Sequence, residues 1–132
     1  MGSGKKSGRL GGLIWGLLII VVIAAYLVMY FTAMPIMGYA TNVMAGKVPA
    51  AETAGAPINA YNPLAKSDAV GQSRVSALQL CAFHNFTDGA VWALYTQEVY
   101  DQSGGEIIKT ENKIAKWTIH KAGDEWEITD IE

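Results

Sequence analysis

Cysteine and histidine are scarce in this chain. Its 132 residues include one cysteine, Cys81, and two histidines, His84 and His120. A single cysteine excludes an internal disulfide framework, and we expect Cys81 to be a small buried apolar residue. Metal sites in proteins generally need three or four ligands at fixed spacing, and these three residues provide no such set. The sequence therefore predicts no metal and no cofactor.

Charged residues are missing between Arg9 and Lys47. The first 22 residues of this gap, Leu10 to Phe31, are almost entirely apolar and would span roughly 33 Å as a helix, enough for a hydrocarbon core of about 30 Å. Two alternatives fit less well. A helix packed against the core of a soluble protein would show a polar stripe, and the apolar region of a signal peptide runs only about 7 to 15 residues. We therefore predict a retained transmembrane helix over residues 10–33, with a cleaved signal peptide as the alternative.

The charges on either side of the span predict its orientation. Residues 1–9 carry three basic side chains and no acidic one, whereas no charge follows the span until Lys47. The positive-inside rule then places residues 1–9 in the cytoplasm as a basic tail and the C-terminal domain outside it. For a bacterial inner membrane, that domain is periplasmic. Tyr26, Tyr30 and Phe31 are expected at the outer membrane interface.

The region after residue 46 is acidic. It contains seven Lys and Arg residues against twelve Asp and Glu residues. A domain with this balance lacks the basic surface that nucleic-acid binding requires. We therefore expect no nucleic-acid partner.

Residues 34–73 combine helix-forming and loop-forming sequence. Pro35 disfavours a continuous helix, so we expect the chain to bend there. The apolar residues that follow recur at helical spacing and predict a short amphipathic helix over residues 36–47. The Ala/Pro-rich stretch 48–73 is predicted to be mostly loop, with one helical turn at 50–54. It should pack across the rest of the domain or reach a neighbour.

Residues 74–132 read as four strands separated by the turn signals "TDG", "SGG" and "AGD". We predict an α+β fold, in which one transmembrane helix precedes a small domain with a curved antiparallel sheet of about four strands and a short covering helix. Alternation along each strand predicts the residues of the buried face: Trp92, Leu94, Tyr100, Ala115, Trp117, Ile119, Trp126 and Ile128.

The closing sequence "KWTIHKAGDEWEITDIE" resembles the end of NTF2-like (cystatin-like cone) domains, in which a Trp-bearing strand, a Gly-Asp turn and a Trp-x-Ile-x-Asp strand follow one another. The resemblance covers residues 75–132, and residues 36–47 more loosely. It implies a helix packed against strongly bent antiparallel strands. A membrane helix followed by such a domain is also the plan of the VirB8-like assembly factors of type IV secretion systems, with no match of individual residues.

Several aromatic residues are candidates for a core or for a contact site. Large aromatics dominate burial in small domains and also anchor protein partners. Four residues of this chain are candidates for either role: Trp92, Trp117, Trp126 and Tyr61. The NTF2-like resemblance adds a second possibility, because enzymes of that family place an acid or base in the cone. Four residues could serve, but their spacing selects no pair: Asp68, His84, Tyr61 and Tyr95. His120 is expected to face solvent.

Glycine recurs at Gly8, Gly12 and Gly16. This spacing places one glycine per turn on a single helix face, where two membrane helices can approach each other closely. The alternative is that these glycines reflect only the composition of membrane helices.

The sequence indicates a membrane anchor, its orientation and a small sheet domain, but no set of catalytic residues. We therefore predict a non-enzymatic, single-pass accessory or assembly subunit of a bacterial inner-membrane complex. Its partner would be an integral membrane protein complex, and self-association is possible. The alternative is a module that binds a small apolar ligand in an NTF2-like cone. The third and less favoured hypothesis is that the protein is an enzyme.

Overall fold

The computed structural model describes residues 2–132, with side-chain surroundings from Arg9 onward. It opens with helix α1, Gly2–Ala33, which is followed by helix α2, Pro35–Met44. From Arg9 onward this helical region is long and apolar enough to cross a membrane, and its apolar window is not buried in the rest of the protein. The chain thus fits a single-pass membrane protein.

The predicted break at Pro35 takes the form of a one-residue interruption. Met34 keeps helical backbone angles (φ −56°, ψ −35°), and α2 begins at Pro35 itself. Because proline has no N–H, it cannot donate to the carbonyl of Phe31. The Met34 N–H takes over and donates to that carbonyl at 3.3 Å. The usual i−4 acceptor of Met34, the carbonyl of Tyr30, is thereby left free for another donor.

Helix α2 ends three residues earlier than predicted because Gly46 stops it. Gly46 has φ +75°, and its N–H donates to the Val43 carbonyl while the Lys47 N–H donates to the Asn42 carbonyl. These two bonds form a Schellman motif, which needs a left-handed residue and so favours glycine.

The Ala/Pro-rich stretch packs across the domain. It forms helix α3, Ala50–Thr53, close to the predicted helical turn, and two 3₁₀ helices, Pro57–Tyr61 and Pro63–Ala65. The side-chain amide of Asn62 is fully buried and donates to the Val48 carbonyl at 3.1 Å and to the Thr53 hydroxyl at 2.9 Å. These bonds hold an otherwise irregular segment in one conformation.

The α+β fold is confirmed, with four antiparallel strands in the order β1-β2-β3-β4. Their bounds follow the predicted strands closely, although β1 begins four residues earlier than expected: β1 Val70–His84, β2 Asp88–Asp101, β3 Glu106–Ala122 and β4 Glu125–Ile131. The pairing register shifts between Gln79 and Cys81 and at several further points. Bulges bend their strands, which gives the sheet its curvature.

The turn between β2 and β3 is organised by Asp101. One of its carboxylate oxygens accepts from the Ser103 hydroxyl at 2.7 Å and from the N–H groups of Ser103 and Gly105. These bonds, led by that of the Ser103 hydroxyl, lower the pKa of Asp101 below its ordinary value.

The inner face of the sheet is covered by α2 and the segment after it. Small side chains on the strands, Ala82, Ala93 and Ala115, share one buried cluster with large ones from α2. Small residues on the sheet leave space that α2 fills at interior density. Trp117 lies at the centre of this cluster with no exposed surface.

The predicted face of β2 is wrong. The buried residues are the odd-numbered ones, Val91 to Val99, so Trp92, Leu94 and Tyr100 lie on the outer face. The run "VWALY" is apolar at every position, and without polar residues the alternation cannot distinguish the two faces. The β3 and β4 assignments agree with the structure, although Trp126 is only half-buried. Cys81, expected to be buried, is also only half-buried.

The two faces predict different costs for losing a tryptophan. Trp117→Ala should lower the free energy of unfolding by about 3 to 5 kcal/mol, the range for a large aromatic lost from a core. Trp92→Ala is the matched control and should cost less than half as much, because the outer face leaves no enclosed cavity. Denaturant unfolding in detergent, followed by circular dichroism of the sheet, measures both. Equal losses would contradict the face assignment.

Candidate interaction site: the junction of helix and sheet

The C-terminal end of α1 is bound to the sheet through Gln79. The Gln79 side-chain Nε2 donates to the Tyr30 carbonyl at 2.8 Å, and the Tyr30 hydroxyl donates to the Gln79 backbone carbonyl at 2.8 Å. The Tyr30 carbonyl, which accepts this bond from Gln79, is the one left free by the interruption at Pro35. Gln79 is 4% exposed, and its Oε1 has no hydrogen-bond partner among the described residues.

His84 makes a second bond to the same turn of α1. Its Nε2 lies 2.9 Å from the Met29 carbonyl and 2.8 Å from the Thr32 hydroxyl, and its Nδ1 accepts from the Phe86 N–H at 3.0 Å. A carbonyl only accepts, so Nε2 carries the proton and Nδ1 does not. Both ring nitrogens are occupied by structural bonds, so neither is free in this arrangement to bind a metal or transfer a proton.

Trp126 provides the third bond. Its indole N–H donates to the Thr32 carbonyl at 3.0 Å, and its ring lies 4.7 Å from the His84 ring. Three side chains from β1 and β4 therefore bind backbone carbonyls between Met29 and Thr32. We call this set of contacts the junction: Gln79, His84 and Trp126 with Met29, Tyr30 and Thr32.

An open cleft of about 680 Å³ lies beside the junction, between α2, β4 and the segment after α2. Four carboxylates and one lysine line it together with Trp126: Glu52, Asp124, Glu125, Glu127 and Lys121. Burial, followed by the nearby Glu52, raises the pKa of Tyr39 on its wall. The cleft is therefore an acidic surface with an aromatic wall.

Of the four residues that the NTF2-like resemblance offered as acid or base, the structure brings together only Tyr61 and Tyr95. Tyr61 and Tyr95 lie in contact, with ring centroids 5.2 Å apart, and burial raises the pKa of Tyr95 far above its ordinary value. His84 is paired with Gly89, six residues along β2 from Tyr95, or about 20 Å. Asp68 is exposed before β1 begins. These four residues therefore do not form an acid–base pair.

The four aromatic candidates have different positions. Trp117 is in the core and donates to the Tyr61 hydroxyl at 3.4 Å, so these two residues fill the interior. Trp126 belongs to the junction and the cleft. Trp92 lies on the outer face, with its ring 6.1 Å from Phe83 and the Lys116 ammonium 5.8 Å from it.

The glycine face of α1 is open where the structure describes it. A side chain added at Gly12 or Gly16 would meet nothing within 4 Å. Gly8 lies outside the residues whose surroundings are described. His120 faces solvent as expected and lies 2.7 Å from the Asp88 carboxylate.

Two buried glutamines were not predicted from the sequence. Gln79 binds α1, and Gln97, 1% exposed, donates to the carbonyls of Met44 and Tyr61. Both occupy inward positions of their strands, among mostly apolar neighbours. A buried polar side chain needs hydrogen-bond partners, but the sequence did not give this signal for Gln97, because the predicted face of β2 turns that residue outward.

A comparison of the chain with protein-family models, with curated proteins and with solved structures gave no match. The assignment of function therefore depends on the site itself.

Proposed function

We propose that this protein is a non-enzymatic, single-pass accessory or assembly subunit of a bacterial inner-membrane complex. Its helix and its extracytoplasmic domain would contact the partner together. The observation that carries this proposal is the junction, which joins the membrane helix to the sheet by hydrogen bonds instead of a flexible linker. A rigid connection is what a subunit needs if it is to place two contact surfaces at a fixed relative position.

Effective concentration supports the use of two contacts. When two modest contacts are joined at the right spacing, the second forms intramolecularly and the combined affinity exceeds that of either alone. A flexible linker would weaken this advantage, whereas the bonds from Gln79, His84 and Trp126 preserve it. The helix supplies one contact, and the cleft beside Trp126 supplies a polar second one.

The helix contact is assigned to the glycine face. Van der Waals packing is the main force between helices in lipid, and small residues allow the closest approach. Gly12 and Gly16 leave the surface of α1 open. An integral membrane protein, or a second copy of this chain, would fill that space with its own helix.

The orientation follows from charge. The three basic residues before the span favour a cytoplasmic N-terminus and a periplasmic domain. The NTF2-like relationship belongs to the same proposal, supported by a helix packed on a bent four-stranded antiparallel sheet. It gives the domain a docking role without requiring an enzyme's acid or base.

A second candidate function is ligand binding. The open cleft favours it, because ligand sites are concave and combine an apolar wall with a few polar groups. Its four carboxylates fit a ligand that carries positive charge better than the small apolar ligand expected from the sequence.

Replacing Gly12 and Gly16 together with leucine tests the helix contact. Leucine inserts well into membranes, so the variant should reach the membrane at the normal level, but recovery of partners after mild-detergent purification should fall at least tenfold. The matched control is Gly11→Leu with Trp15→Leu, which makes the same one-turn spacing on another part of the helix surface. Unchanged partner recovery with the Gly12/Gly16 variant would show that the glycines reflect composition alone.

Cysteine labelling tests the orientation. In a Cys81→Ser background, Ser103→Cys should react from outside intact cells with a membrane-impermeant maleimide, whereas Ser3→Cys should react only after lysis. Labelling of Ser3→Cys in intact cells would overturn the proposed topology.

A further inference from the structure

The outer face of the sheet carries an apolar surface at the end where α1 docks. Every exposed large hydrophobic residue of the described strands belongs to it, and one more, Phe86, lies in the turn after β1. We call these residues and Trp92 the outer patch: Leu78, Leu80, Phe83, Phe86, Trp92 and Ile114. Individual exposed hydrophobics are ordinary on protein surfaces, but a contiguous group of this kind marks an interaction surface.

The outer patch has a polarity gradient along the strands. Three cross-strand rows are mostly apolar: Phe83–Ala90–Thr118, Cys81–Trp92–Lys116 and Leu78–Leu94–Ile114. Their only charged residue is Lys116. The next rows are polar, with Ser76 opposite Thr96 and Arg74 opposite Glu98. Carboxylates also begin on β4, where Asp130 lies beside Thr118. The apolar area thus lies toward β1, the strand that contacts α1.

Contact with α1 fixes the depth of the patch. The Tyr26 ring lies 5.5 Å from the Phe83 ring, which in turn is 6.1 Å from Trp92. A hydrocarbon core of about 30 Å takes about twenty helical residues, so a span that begins at Leu10 ends near Met29. Tyr26 then lies about 5 Å inside the hydrocarbon border. Helix tilt places more residues in the core and moves that border further along the chain.

The turn after β1 offers a second observation. Phe86 has φ +69° and is 51% exposed, a left-handed conformation that is unusual for a bulky residue. Asn85 holds the turn by accepting from the N–H groups of Thr87 and Asp88 at 3.0 and 2.8 Å. Phe86 packs edge-on against the His84 ring at 4.9 Å, and His84 is bound to α1. The strained turn therefore presents an aromatic side chain beside the membrane helix.

We propose that the outer patch is a second membrane contact, in which the β1 side of the sheet rests in the lipid interface beside the helix. Its occupant is the bilayer, because the patch continues the apolar surface of α1 and lies at the depth of its last turns. Trp92 has the amphipathic ring favoured at membrane interfaces, and the neighbouring Lys116 can bury its stem and extend its ammonium toward the headgroups. The inference rests on the membrane-spanning α1 of the proposed function.

Spin labels measure the depth directly. Single cysteines are introduced into a Cys81→Ser background at Val21, Leu80, Phe83 and Ser76, and each purified full-length variant is reconstituted into phosphatidylcholine/phosphatidylglycerol vesicles. Relaxation by oxygen, which concentrates in lipid, is compared with relaxation by a water-soluble nickel chelate. The label at Val21 reports the span, those at Leu80 and Phe83 report the patch, and that at Ser76 is the matched control on the same face.

The ratio of oxygen to nickel accessibility should be highest for the label at Val21. At Phe83 the ratio should be several-fold higher than at Ser76, and at Leu80 it should lie between those two values. Equal ratios at Phe83 and Ser76, with Val21 still in lipid, would overturn the lipid contact and leave the span intact. A water-exposed Val21 would overturn both. If the labels at Leu80 and Phe83 are shielded from both reagents, the patch is covered by protein. In this purified system that protein is a second copy of the chain, and this result would also overturn the proposal.

Trp92 gives the same information without altering Phe83 or Leu80. Lipids brominated near the headgroup end of their chains should quench the fluorescence that Trp92 adds, obtained as the difference between the unsubstituted protein and Trp92→Phe. Lipids brominated near the chain terminus should quench it less. A difference spectrum insensitive to both lipids would contradict the contact.

Discussion

The backbone carbonyls at the C-terminal end of α1 are the groups on which the arrangement of this protein depends. Pro35 cannot donate to the helix, and the shift of the Met34 N–H leaves the Tyr30 carbonyl free near the end of the apolar run. A backbone group without a partner is costly there because lipid offers no hydrogen bonds. Gln79 supplies the missing donor. The proline that interrupts the helix thus creates the acceptor through which the sheet binds it.

This constraint explains why polar residues lie inside an apolar sheet. Burial of an unpaired glutamine would be unfavourable, and loss of a partner from a buried hydrogen bond costs about 1 to 3 kcal/mol. Gln79 and Gln97 each donate to carbonyls of the helical layer, so α2 and its flanking segments are held in one position on the sheet. Small strand residues such as Ala93 and Ala115 then let α2 pack closely. Trp92 and Leu94 of β2 face outward, on the surface for which a lipid contact is proposed.

Much of the fold could be predicted because its signals are local. The long apolar run, the turn residues between strands and the helical spacing before the loop predicted the helices and strands. Most observed bounds lie close to the predicted ones, but α1 begins at Gly2 instead of residue 10. The face of β2 could not be predicted, because the run around Trp92 is apolar on both sides and only tertiary packing decides between them. The junction could not be predicted either. It joins Tyr30 to Gln79, 49 residues apart, and no local pattern in the sequence links the freed carbonyl to its donor.

A distance measurement across the junction tests the central claim most directly. Spin labels at Leu17→Cys on the helix and Ser76→Cys on the sheet, in a Cys81→Ser background in lipid nanodiscs, report how the two parts move relative to each other. We predict a single narrow distance distribution, which broadens with Gln79→Leu but not with Gln102→Leu, an equivalent change at an exposed turn. A broad distribution in the chain with Gln79 intact, as wide as with Gln79→Leu, would show that the helix is a flexible tether and would contradict the rigid junction.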